Sequence, residues 1–457
     1  MDKIITQKLI ENKTVLDRIG NFFKRFKVTS LVGNVCNHNY KSVDIFEVFL
    51  FLFKLVFTHR SFYSEVKNNE CEYSKDKVYR FLDSTHINWL KFTTMLSSNI
   101  INSSIALLTS ENREKVFIFD DSVFSRNRSN KVELLTRIYD HAHKTYLKGF
   151  RMLTLGWSDG NTFMPVNSVL LSSENKDTVI NPSRITDKRT NAFKLRKLSQ
   201  TKATEVMLHL LDEAKSAGIK AKYVLFDSWF TYPSTIMDIK DRGYDVISMV
   251  KRMPNIRFEY NGEMLTLKEI FSKNKKKRGR SHYLLSVEVN VLHDGKSVPA
   301  KIVYVRNRSN RKDYLCLIST DTSLSEDEII RVYGKRWSIE VFFKICKSYL
   351  KLSKECRSLS FDAMTAHTAV VFARYMMLAL EKRESEDPRS LGELFACCTE
   401  ELKDISVIEA FAILVDSIQE TFEEHFDIKE EELNRIIEKF LSKLPENLKS
   451  TLGLLAA

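Results

Sequence analysis

Residues 329–350 read IIRVYGKRWSIEVFFKICKSYL, and this stretch decides how the rest of the chain is read. Its apolar spacing predicts a helix. Counted from Tyr333, Arg336, Glu340 and Lys347 stand at offsets of three, seven and fourteen residues. At about 100° per residue these fall near 0°, −60°, −20° and −40°, so all four share one narrow face. A carboxylate set among two cations and a phenol, on a stripe that core packing would have made aliphatic, points to a site for a metal ion and phosphate.

Working back from this stretch, the texture changes twice. Residues 1–112 read as helices, among them the apolar run FEVFLFLFKLVF (46–57) and a segment in which Ser74 or Asp76 caps a helix turning Val78, Phe81 and Leu82 inward. The outer face of that helix, Lys75, Lys77 and Arg80, suits either a DNA groove or bulk solvent. From residue 115 the pattern becomes strands. KVFIFDD is a short apolar run ending in acids. YLKGFRMLTLGWSDG and NTFMPVNSVLLSS, joined at Ser158-Asp159-Gly160-Asn161, read as an antiparallel hairpin. A helix over about 203–217 then leads into KYVLFDSW, a further helix to Arg242, and the strand YDVISMVK. Three strands, a helix, a strand, a helix and a strand give an α/β fold with a ribonuclease H-like mixed sheet.

The spacing Tyr-x2-Arg-x3-Glu-x6-Lys resembles the motif around the last acid of DDE transposases in one large branch of bacterial insertion sequences, and the resemblance covers most of the chain. It implies a helical DNA-binding region at 1–112 and a ribonuclease H-like catalytic domain at 113–350. It also implies a β-rich insertion at about 252–312 between the second and third acids, and a helical C-terminal region at 351–457 suited to dimerisation. The sixty residues between Lys251 and DYLCLIST are too long for an unstructured loop and carry alternating segments of their own.

In this chemistry three carboxylates hold two divalent cations, Mg²⁺ or Mn²⁺, one activating the attacking oxygen and one stabilising the leaving oxygen. The candidates are Asp120 or Asp121, Asp227 and Glu340. Adjacent strand residues point to opposite faces, so the first two cannot serve equally, and spacing alone does not choose between them. The resemblance places the metal ligand on Asp121 and leaves Asp120 beside it. For Asp227 the plainer alternative is a helix cap. By similarity Tyr333, Arg336 and Lys347 contact DNA phosphates. Some characterised relatives stack a flipped base on a Trp of the insertion. This insertion has none, and Phe258, Tyr260, Phe271 and Tyr283 are the candidates to substitute for it. Trp229 and Trp337 are expected to pack in the core.

Charge supports a polyanionic partner. The 457 residues carry a formal net charge of +12. Residues 381–457 hold 19 acids against 9 bases, which leaves the rest of the chain at +22. Three basic runs, 181–202, 272–280 and 306–312, are candidate phosphate tracks. The seven cysteines are scattered, with no Cys-x-x-Cys pair and no His cluster at zinc spacing, so neither a disulfide scaffold nor a zinc finger is indicated. The start MDKIITQKLIENK lacks a signal-peptide core, and Glu47 and Lys54 interrupt the one strongly apolar run. The expectation is a cytoplasmic bacterial protein, nucleoid-associated when bound to double-stranded DNA, dimeric when active, with no membrane. It would bind the terminal inverted repeats of its element and a target DNA in cut-and-paste transposition. Two rivals share the motifs: a metal-dependent nuclease without strand transfer, and a domesticated copy that only binds DNA.

Overall fold

The strand β1 (Val116–Ser125) is the spine of one eleven-stranded sheet. The computed structural model describes residues 18–38, 44–57, 61–67, 71–140, 144–175, 177–277, 281–307 and 313–384, with four isolated positions between 432 and 439. On one side β1 pairs antiparallel with β3 (Thr145–Ser158), whose outer edge takes β2 (Thr136–Asp140) and then β4 (Phe163–Leu171). On its other side β1 pairs parallel with β5 (Tyr223–Phe226), and β5 with β6 (Asp245–Val250). The order β4-β3-β1-β5-β6, antiparallel and then parallel, is the ribonuclease H-like arrangement. β5 is four apolar residues, all buried, as parallel strands covered on both faces are.

The hairpin turns where the sequence signals it. Gly160 has φ of 99°, and Asp159 Oδ1 accepts the amide hydrogens of Asn161 and Thr162, so the carboxylate closes the turn from within. The insertion does more than append strands. β7 (Arg257–Tyr260), β8 (Glu263–Thr266), β9 (Tyr283–His293) and β10 (Lys296–Arg306) continue the main sheet, because β10 pairs with β11 (Tyr314–Ser319) and β11 with β6.

Helices Val28–Asn34, Asp44–Leu55, Phe62–Lys67, Lys75–Leu82 and Trp89–Ile100 precede the sheet. Ser74 caps as expected, accepting from the Lys77 amide, and Val78, Phe81 and Leu82 are buried. Edge-to-face contacts of Phe92 with Phe49 and of Trp89 with Phe81 tie these helices together. The helix Phe361–Glu384 is long and apolar enough to cross a bilayer, yet 89% of its apolar window is buried inside the fold. Its Arg374, fully buried, donates to the carbonyls of Leu52, Phe53 and Leu350 and to Glu355, satisfying acceptors left over at helix ends. The described residues up to Glu384 belong to one compact unit. The acidic helices expected near the C-terminus lie almost wholly outside the described residues.

Candidate active site

The acids Asp120 and Asp121 lie in the middle of β1, not at its end. The pairing with β3 runs on to Ser125, whereas the parallel pairing with β5 stops at Ile118. The two carboxylates therefore stand where β1 outruns its parallel neighbour, at the strand-end crevice in which α/β sheets bind ligands. Alternation then separates them. Oδ2 of Asp120 accepts from Arg336 Nη1 at 2.8 Å, and Arg336 Nη2 donates to Glu340 Oε1 at 2.6 Å. Asp121 turns the other way, its Oδ2 3.1 Å from Nε of Arg151 on β3.

The stretch 329–350 is not one helix. Glu326–Gly334, started by a Ser325–Glu328 capping box, ends at Gly334, and Trp337–Ser348 begins after a tight turn in which Arg336 N–H bonds to Tyr333 O and Ser338 N–H to Lys335 O. The break has a physical anchor. Lys335 is buried, and its Nζ donates at 2.6 Å to the carbonyl of Glu114, just ahead of β1. Arg331 pairs with the Glu114 carboxylate, and against the cost of burial these contacts hold Glu114 down at about 2. Pinning the turn to the root of β1 sets Arg336 over Asp120. The break interrupts the uniform 100° projection after Gly334, but within Trp337–Ser348 the projection still holds, and Lys347 shares the face of Glu340 two turns further on. It lies within electrostatic reach of Asp140 on β2, and burial pushes its ammonium below the usual lysine range.

Burial pushes the Asp120 carboxyl up to about 7; Arg336 pulls it down, while Asp121 and Asp227 add repulsion. Tyr333 is buried beside this group and raised to about 12, first by burial and then by Asp227 and Asp120, with Arg336 opposing. Its hydroxyl forms no hydrogen bond of good geometry. Asp227 follows β5 directly. Its Oδ1 accepts the Trp229 amide at 2.8 Å, which makes it the cap of a turn, since the next helix starts only at Pro233. Thr231 Oγ1 lies 3.0 Å from Asp227 O and 2.6 Å from Met249 O, fastening this turn to the end of β6.

Neither tryptophan expected in the core is there. Trp229 is 43% exposed and Trp337 47% exposed, each beside the acids. The Arg151 guanidinium lies 5.5 Å and the Lys251 ammonium 3.9 Å from the Trp229 ring centre. Sequence reading missed Arg151 and Lys251, although an arginine inside the buried strand GFRMLTLG was a signal. Of the insertion's aromatics, Phe258 is core and Phe271 stacks on Tyr314 at 4.2 Å. The basic run 181–202 holds the helix Asn191–Ser199, capped by Thr190. Its Arg196 faces inward, between Glu133 and Asp362. The runs 272–280 and 306–312 lie partly outside the described residues.

Among the described residues no three His, Cys, Asp or Glu side chains gather as a ready metal-binding set. What does fit a hard divalent cation is the donor chemistry. Two carboxylates, Asp120 and Glu340, already share one cation in Arg336, and Asp227 and Asp121 crowd Asp120 with further negative charge.

Two family models match the chain: "DDE superfamily endonuclease" over residues 55–281 and "Transposase DDE domain" over residues 189–377. The chain belongs to the DDE superfamily of transposases and endonucleases, and is an enzyme of that type. No curated relative matches. Among solved structures, the piggyBac transposase synaptic complex with hairpin DNA is similar over 92% of this chain and 84% of that chain, at 13% identity and a TM-score of 0.43.

Proposed function

We propose that this enzyme is the transposase of an insertion sequence, cutting at the ends of its element and joining them to target DNA. The observation that carries the reading is the Arg336 guanidinium bridging Asp120 and Glu340, which brings an acid of the first strand to the acid of the late helix beside Asp227. Asp120, Asp227 and Glu340 are the proposed catalytic acids. This departs from the motif-based expectation for the first of them, because Asp121 is turned toward Arg151. Divalent cations, two Mg²⁺ or Mn²⁺, would supply activation of the attacking oxygen and stabilisation of the leaving oxygen.

The chain's own residues do the rest. Asp120, Asp227 and Glu340 present hard oxygen donors. Arg336 holds two of them apart from each other's charge and offers a planar fork to a phosphate that displaces either carboxylate. Tyr333 places a buried hydroxyl beside the same acids, and Lys347 a more distant cation for the strand backbone. The helical residues 1–112 would hold the terminal inverted repeats, and two copies would pair the two ends. The catalytic region is assigned to 113–350 and a dimerising region to 351–457, in a protein working on DNA in the bacterial cytoplasm.

The test is cleavage of labelled DNA carrying the sequence that flanks this reading frame, in Mg²⁺ or EDTA, by wild type and Glu340→Gln. Metal-dependent cuts at the element's ends that vanish in the variant while DNA binding persists are expected. Binding without cleavage by the wild type would turn the reading to a DNA-binding relic. Because one matching family is described as an endonuclease, cuts without joining of the freed 3′ end to a target plasmid would favour a nuclease.

A further inference from the structure

The cluster around Trp229 lies outside the machinery just described. Asp121 stands opposite Leu153 in the β1–β3 register, and Arg151 is two residues along β3, so Asp121 and Arg151 share the sheet face that Asp120 does not. Arg151 and Lys251 both approach the ring of Trp229, from β3 and from the first position beyond β6. An indole face attracts both cations through its quadrupole and fixes two flexible side chains beside one another. The turn that carries the ring is held, since the Trp229 backbone amide donates to Asp227 and Thr231 fastens the turn to Met249. Asp121 balances one of the two positive charges. Two cations, one of them paired with Asp121, therefore converge on a half-exposed ring two residues past Asp227.

We propose that Arg151 and Lys251, held over Trp229, form a binding subsite for one backbone phosphate of the DNA strand, on the sheet face opposite Arg336. Asp121 is the positioning residue that orients Arg151. This subsite rests on the DNA reading above and extends it, giving the strand a contact on each side of the acids.

Binding of a fluorescent duplex carrying the element's flank, measured by anisotropy in EDTA across a NaCl series, tests the subsite without cleavage. Removing one phosphate interaction reduces the slope of log affinity against log salt by about 0.9. Lys251→Ala is expected to flatten the slope by about that amount, and Trp229→Ala by the same or more, because both cations are then without their platform. Lys251→Arg keeps the wild-type slope. Unchanged slopes in both alanine variants, with thermal midpoints near wild type, overturn the subsite. A wild type that does not bind the duplex defeats the DNA reading itself, and inorganic pyrophosphate then decides the subsite alone. In a Trp337→Phe protein the remaining indoles are Trp229 and the buried Trp89 and Trp157. Emission changed by pyrophosphate, and not in Lys251→Ala, supports the anion site, and emission that pyrophosphate leaves flat overturns it.

Discussion

Arg336 Nη1 lies 2.8 Å from Oδ2 of Asp120, a contact that ties the middle of β1 to a helix break more than two hundred residues later. Asp121, the neighbour on the other face, is tied to Arg151. The two carboxylates therefore respond differently to the same substitution. Asp121→Asn acts through Arg151 and should lower DNA cleavage by about 10–100-fold, the range for a residue that works through another. Asp120→Asn should cost more than that. Rates of single-turnover cleavage for both variants decide it, and a dead Asp121→Asn beside an active Asp120→Asn would return the first acid to Asp121.

The raised Asp120 carboxyl gives cleavage a pH dependence. In the metal-free protein its proton leaves near pH 7, and a binding cation must displace that proton, so at sub-saturating Mg²⁺ cleavage should climb between about pH 6 and 8. Arg336 opposes the upward shift, and removing it moves the carboxyl further up. In Arg336→Gln the rise in rate should therefore lie at higher pH than in wild type. A profile that keeps the wild-type midpoint while losing amplitude would mean Arg336 acts on DNA alone.

Stability has its own acid limb, in His367. Burial lowers this imidazole to about 4, with Nε2 3.1 Å from Lys351 O. The unfolded chain takes up a proton near pH 6.5 and the folded protein does not. Stability is therefore full above pH 6.5 and falls as pH drops toward 4, by about 3 kcal/mol over the window if the folded group stays neutral. Urea midpoints of wild type and His367→Gln across pH 4–7 check this, and equal pH slopes would remove His367 as the cause.

Arg196 sits between Glu133 and Asp362, with donor–acceptor distances of 2.7–2.9 Å, and all three are buried. It closes the basic segment onto the loop before β2 and the start of the Phe361–Glu384 helix. Removing one member of a buried ion group leaves charge without a partner, and Arg196→Ala should cost about 3–5 kcal/mol. Arg196→Lys should recover little, because an ammonium lacks the planar paired N–H groups that meet both oxygens of each carboxylate. Urea unfolding of both variants measures it.

Much of the fold is legible in the chain itself. The order of strands, the Ser158–Asn161 turn and the Ser74 cap follow from local patterns that tertiary packing does not override. The features that local pattern misses depend on partners distant in sequence. The helix break at Gly334 is fixed by Lys335 reaching Glu114, and no periodicity within 329–350 reports that contact. The choice between Asp120 and Asp121 depends on which face β1 turns to Arg336. Hydrophobicity assigns Trp229 and Trp337 to the core, yet each stands beside a cation at the strand-end crevice. Arg196 reads as one more base in a solvated run until two buried carboxylates account for it.

Packing behind the site supplies the last prediction. Gly156 lies on β3 at an irregularity in its pairing with β4, and a Cβ there would fall 2.1 Å from Cζ of Phe163. Phe163 in turn packs on Phe342 at 5.1 Å between ring centres, and Phe342 is two residues past Glu340 on the same helix. Gly156→Ala must therefore drive one buried ring toward the helix that carries the third acid. Overpacking of this kind costs about 1–3 kcal/mol. Cleavage should fall further than that loss of folded protein explains, because Glu340 moves with Phe342. Pairing Gly156→Ala with Phe163→Leu makes room for the methyl group, and the double variant should be more stable than the sum of the singles predicts. Additive free energies in urea would show that Phe163 yields without pushing on Phe342.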